Sequence, residues 1–82
     1  MPKVNKRSGG FEDWNKEKII NSATKAGVTL KSAVAISEIL EEWASENAQD
    51  GVILSAEIKD KLIEVLKLIN PIAAETYATY KK

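Results

Sequence analysis

The chain has no cysteine and no histidine. Without cysteine there is no disulfide, no thiol nucleophile and no thiolate zinc cluster. Without histidine the commonest general base and the commonest zinc ligand are missing too. An enzyme is therefore not expected. No apolar run approaches the ~20 residues that a membrane-spanning helix needs. The head of the chain, MPKVNKRSGG, has no apolar stretch of the kind a signal peptide carries. With no disulfides either, the expected location is cytoplasmic, with no membrane partner. Net charge is absent as well: 12 Lys and Arg balance 12 Asp and Glu. That argues against wholesale electrostatic binding to nucleic acid or to an acidic membrane. One segment, GVTLKS (Gly27–Ser32), superficially suggests a phosphate loop. It lacks the Gly before the Lys and the required spacing, so it is rejected. The paired acids Glu41 and Glu42 lie among other acids on a helical surface and read as solvated.

What is present is enough for one small domain. The 82 residues are 44% apolar, which suffices for a single core although the stability margin of so short a chain is thin. The charges are unevenly placed. Residues 1–31 carry a balance of +4, residues 32–66 a balance of −6, and the last sixteen a balance of +2.

Val4–Arg7 and Phe11–Trp14 flank Ser8, Gly9 and Gly10, which reads as a β-hairpin over residues 3–14. Asn15 is a good helix cap. A helix is predicted over 16–26, with Ile19, Ile20, Ala23 and Ala26 on one face and Gly27 as its stop. A second is predicted over 30–47, with Ala33, Ile36, Leu40 and Trp43 inward and Glu38, Glu41, Glu42 and Glu46 wet. Val52–Leu54 is a brief strand. A third helix follows over 56–69, capped by Ser55, with Ile58, Leu62, Val65, Leu66 and Ile69 inward. Asn70 and Pro71 stop that helix and start a fourth over 71–81, carrying Ala73, Ala74, Tyr77 and Tyr80. The expected fold is mainly α: a four-helix bundle capped by a small N-terminal β-hairpin or three-stranded sheet.

The richest stretch is KRSGGFEDWNKEKI, Lys6 to Ile19. A Gly-rich turn exposes backbone N–H groups, and a helix N-terminus beside it adds unpaired N–H groups and partial positive charge. Lys6 on the strand and Lys18 in the first helical turn would complete a polyphosphate cradle. Glu12 and Asn15 would meet a base or a sugar, and Phe11 or Trp14 would stack on a base. On composition alone the plainer reading, a charged surface hairpin, is the stronger, because hairpin turns need glycine anyway.

Resemblance changes that balance. KRSGGFEDWNKEKI resembles the opening signature of the ATP-cone domain: a Lys-Arg-Asp-Gly turn, an acid, an aromatic, Asn or Asp, and a Lys-Ile pair. SAEIKDKLIEVL (Ser55–Leu66) resembles that family's third helix, and NPIAAETYATYKK (Asn70–Lys82) its last. The pieces occur in order over nearly the whole chain. The resemblance implies a non-catalytic, nucleotide-binding allosteric regulatory module that senses ATP against dATP, with or without Mg2+. It implies that Val4 presents backbone to the base and that Glu12 and Asn15 contact base or sugar. Lys6, Arg7 and Lys18, joined by Lys81, would hold the phosphates. The partners it implies are a ribonucleotide reductase or a transcription regulator, and it leaves a homo-oligomer open. Ser8 replaces the usual turn Asp, and Leu54 stands where many members carry Thr or another polar residue near the nucleotide. Neither a reductase catalytic domain nor a zinc ribbon lies within the chain, which reads as a free-standing cone or as part of a longer protein. Two rival readings remain. One is a cone-fold protein-interaction domain that no longer binds nucleotide. The other is a small nucleic-acid-binding protein, favoured by the basic head and disfavoured by the zero net charge.

Overall fold

The structure, a computed structural model, describes residues 2–6 and 9–80, apart from the side chain of Tyr80. Among these residues the chain forms β1 (Lys3–Asn5), β2 (Phe11–Asp13), α1 (Lys16–Ala26), α2 (Leu30–Asn47), β3 (Val52–Leu54), α3 (Ser55–Ile69) and α4 (Pro71–Tyr80). The protein is mainly helical, with one three-stranded sheet of order β2-β1-β3. β1 is antiparallel to β2 and parallel to β3, so Val4 lies opposite both Glu12 and Ile53. A parallel pair needs a crossover, and here α1 and α2 supply it.

The turn between β1 and β2 rests on glycine. Gly9 and Gly10 have φ of 90° and 86°, a region that other L-residues rarely adopt. The Lys6 N–H donates to the Gly10 carbonyl at 3.1 Å, and the Gly9 N–H to the Lys6 carbonyl at 3.0 Å. β1 ends at Asn5, so Lys6 belongs to the turn rather than to the strand.

Local chemistry sets most helix ends. The Asn15 side-chain oxygen accepts the Lys18 N–H at 3.1 Å and opens α1. Gly27, at φ 116°, closes it, with the Gly27 and Val28 N–H groups reaching back to the Thr24 and Ala23 carbonyls at 3.1 and 3.4 Å. Thr29 caps α2 through the Ser32 N–H at 3.2 Å. Asn70 caps α4 twice over, accepting from the Ile72 and Ala73 N–H groups at 3.1 and 3.2 Å. At α3 the expected Ser55 cap is wrong. β3 runs straight into the helix, Leu54 is the cap residue, and Ser55 is the first helical position. Leu54 has no side-chain acceptor, and the Glu57 carboxylate instead accepts the Leu54 N–H at 3.2 Å.

α1 packs on α2 and α4, and α3 packs on α4 and α2. The main core between them contains Ile19, Ala23, Ile36, Leu40, Leu62, Val65, Leu66 and Tyr77. A smaller cluster of Val4, Ala44 and Ile53 glues the sheet to α2 and α3, with Trp14 and Trp43 half-buried against both. Ser37, buried on α2, is satisfied by donating to the Val34 carbonyl at 2.6 Å. One expected inward residue points out: Ile69 is 47% exposed. It is the last residue of α3, and the chain turns at Asn70 before α4 can cover it.

Candidate functional site

β2 and β3 flank β1, and each hands over to a helix: β2 to α1 through Trp14 and Asn15, β3 to α3 directly. Asp13 pairs with Lys3 at one end of β1 and Leu54 with Asn5 at the other. The first turns of α1 and α3 thus start diagonally across the sheet, with Val4 between them. A half-open cleft of about 140 Å³ lies there.

Three sources line it. The sheet side contributes Val4, Glu12, Asp13 and Trp14. α1 and its cap contribute Asn15, Lys18, Ile19 and Ser22, spaced at i, i+3, i+4 and i+7, which is one helical face. α3 contributes Ser55, Ile58, Lys59 and Leu62, with identical spacing, and Tyr77 of α4 adds its side chain.

The charges are arranged in pairs. Lys18 Nζ stands 3.7 Å from Glu12 Oε1, with both side chains partly exposed. A pair of that kind contributes little and breaks readily, so Lys18 can exchange partners at small cost. Asp13 is bonded to Lys3. The hydrogen bond from Lys3 and then its charge hold the Asp13 carboxyl below the ordinary value. Burial pushes the Tyr77 hydroxyl above its ordinary range. Asn15 uses its side-chain oxygen on the Lys18 N–H, which leaves the amide NH2 as the group able to donate to a ligand. The Trp14 Nε1–H is buried and has no hydrogen-bond partner among the described residues. An unpaired donor of this kind costs about 1–3 kcal/mol.

The model of the ATP cone domain family matches residues 2–82. The chain belongs to that family. No curated protein matches it. Cone domains are in general nucleotide-binding regulatory modules.

Of the residues that the sequence nominates in this cone domain, Val4, Glu12, Asn15 and Lys18 come together at the cleft. Lys6 does not line it and is exposed in the hairpin turn. Arg7 and Lys81 lie outside the described residues. Leu54, the departure from the usual polar residue, is 48% exposed and is not a lining residue. Its neighbour Ser55 takes that place. Sequence reasoning missed Ser22, Ser55 and Lys59 as cleft residues. The signal was available: Ser55 and Lys59 precede Leu62 on the inward stripe of α3, and Ser22 lies four residues after Lys18.

Proposed function

We propose that this cone is a non-catalytic regulatory module whose ligand is ATP or dATP. The observation that carries the reading is the convergence of Glu12, Asn15 and Lys18 on one cleft, in a chain that the cone family matches end to end. In this reading Lys18 leaves Glu12 for the phosphates, aided by the N-terminal charge of α1. Glu12, freed of its partner, and the Asn15 amide read the base or sugar. Arg7 and Lys81 serve the outer phosphates, and Lys6, outside the cleft, contributes weakly. Mg2+ arrives bound to the phosphates, the usual mode of this ion at nucleotide sites. The ring of contacts among the four helices supports their description as a bundle with the sheet as its lid. A ribonucleotide reductase or a transcription regulator is the partner that such a module would serve, in the cytoplasm; no described helix is long and apolar enough to cross a membrane.

Calorimetric titration with ATP and with dATP tests the reading. Binding to the unmodified chain, weakened in Lys18→Ala with the melting temperature unchanged, is the expected result. No binding at millimolar nucleotide overturns it. A second reading, an interaction module that keeps the fold without the ligand, would then take its place. The exposure of Leu68 (83%) and Ile72 (76%) at the α3–α4 corner favours it.

A further inference from the structure

We propose that the end of the helices opposite the sheet is a docking surface for an acidic amphipathic helix of a partner protein. The inference is independent of the nucleotide reading, because the cleft lies at the other end.

Topology creates this end. α1 and α3 run away from the sheet, and each chain segment turns back within a few residues, through residues 27–29 and through Asn70. The last turns of α1 and α3 and the first turns of α2 and α4 therefore share one pole. α2 packs on α3, which sets the start of one beside the end of the other. Val28, Leu66, Ala73 and Ala74 close the core at this pole. Four large aliphatic side chains are left outside it: Leu30 is 65% exposed, Leu68 83%, Ile69 47% and Ile72 76%. Single exposed aliphatics are ordinary, but four of them on two adjoining corners form a patch.

The charges around the patch have one sign. Lys25 in the last turn of α1, Lys31 in the first turn of α2 and Lys67 in the last turn of α3 are all exposed. No acid stands in these terminal turns or in the first turn of α4. None of the three lysines has an acidic partner among the described residues, whereas Lys3, Lys16, Lys18 and Lys61 are each paired with a carboxylate. Helix ends account for Lys25 and Lys67, since a cation is favoured near a helix C-terminus. Lys31 has the opposite placement. The N-terminal partial charge of α2 disfavours a cation there, and no acid in that turn offsets it. An anionic partner supplies what the chain does not.

Apolar patch and lone cations together fit an amphipathic helix that lays an apolar stripe on Leu30, Leu68 and Ile72 and brings carboxylates to the lysines. A bilayer fits less well, because no aromatic side chain stands in these turns to anchor at a lipid interface. A second copy offers carboxylates on α2, but Glu38 and Glu41 there are held by Lys16.

The test titrates the isotope-labelled chain with a synthetic helix patterned in Glu and Leu, read by amide chemical shifts and calorimetry. The same helix with Lys for every Glu, and with Gln for every Leu, are the controls. The Glu–Leu helix is expected to shift the amides around Leu30, Lys67, Leu68 and Ile72 and to leave those around Glu12 and Asn15 in place. The double variant Leu68→Ser, Ile72→Ser should weaken it by about tenfold or more with the melting temperature kept. The Glu–Gln helix should bind more weakly than the Glu–Leu helix. The double variant Lys31→Glu, Lys67→Glu should reverse the preference toward the Lys–Leu helix. No binding of the Glu–Leu helix at millimolar concentration overturns the proposal. So does a preference that survives the charge reversal, or a set of shifts centred on the cleft. If phosphatidylserine vesicles bind through Leu68 and Ile72 and the Glu–Leu helix does not, the pole is a lipid contact and the proposal fails. It fails equally if sedimentation shows self-association that the same serine variant abolishes while the helix does not bind. Loss of ATP binding in Lys18→Ala leaves all these outcomes unchanged, so the two readings fail separately.

Discussion

Lys6 and Lys18 look alike in the sequence as two cations of one motif, Lys6 just before the Gly-rich turn and Lys18 in the first turn of the helix after it. Their surroundings separate them. Lys18 lines the cleft beside Glu12, and Lys6 is exposed outside it. Lys18→Ala is therefore expected to lower ATP affinity by about ten- to hundredfold, and Lys6→Ala by only a few fold at most, as measured by calorimetry. Equal losses would place the phosphates nearer the hairpin turn. Tyr77 offers a different check at this scale. Burial raises its pKa above the ordinary 10.0, so the folded chain holds its proton more tightly than the unfolded chain does. Above pH 10 the unfolded state loses that proton first, and stability falls as pH rises through the folded value. Melting curves between neutral and strongly alkaline pH should show this slope, and Tyr77→Phe should reduce it. An unchanged slope in Tyr77→Phe would assign the alkaline loss to other groups.

Helices begin and end here through short-range chemistry, which is why sequence reading located most of their boundaries. Asn15, Thr29 and Asn70 each bond to an N–H within three residues, so their roles follow from residue type and position alone. Asn70→Ala removes two such bonds at once and is expected to cost about 0.5–2 kcal/mol in urea unfolding. A loss below the detection limit would mean that Pro71 by itself starts α4. The failures also lie at element scale and have physical causes. Ser55 resembles a cap in isolation, but β3 feeds α3 with no intervening loop, so the helix starts one residue earlier. Ile69 keeps the period of the α3 stripe, yet the stripe outlasts the neighbour that would cover it.

At the scale of the whole molecule, the sheet meets the helices through the small cluster of Val4, Ala44 and Ile53, and the cleft lies beside that junction. A ligand held by β2, α1 and α3 together would tie these parts to one another. Ligand present at a hundred times its Kd contributes about 2.7 kcal/mol to stability. For a domain of this size that corresponds to a rise in melting temperature of roughly 10 °C or more. Thermal unfolding with saturating ATP or dATP measures it, and Lys18→Ala should reduce the shift at the same nucleotide concentration. Binding by calorimetry without a thermal shift would mean that the ligand binds the unfolded chain as tightly as the folded one.

The sequence by itself determined the helical class, the caps other than that of α3, the inward stripes up to Ile69, and the family, because each depends on residues close in the chain or on the order of motifs along it. It also nominated Glu12, Asn15 and Lys18, which fall within seven consecutive residues and meet through local geometry. Tertiary structure decided the other wall of the cleft. Ser55 and Lys59 lie some forty residues from Lys18, and only the pairing of β3 with β1 brings the first turn of α3 to the same gap. It also decided that Lys6 lies outside the lining and that Leu54 yields its place to Ser55. Those outcomes depend on strand register and helix packing between distant segments, for which a periodic pattern along one segment carries no information.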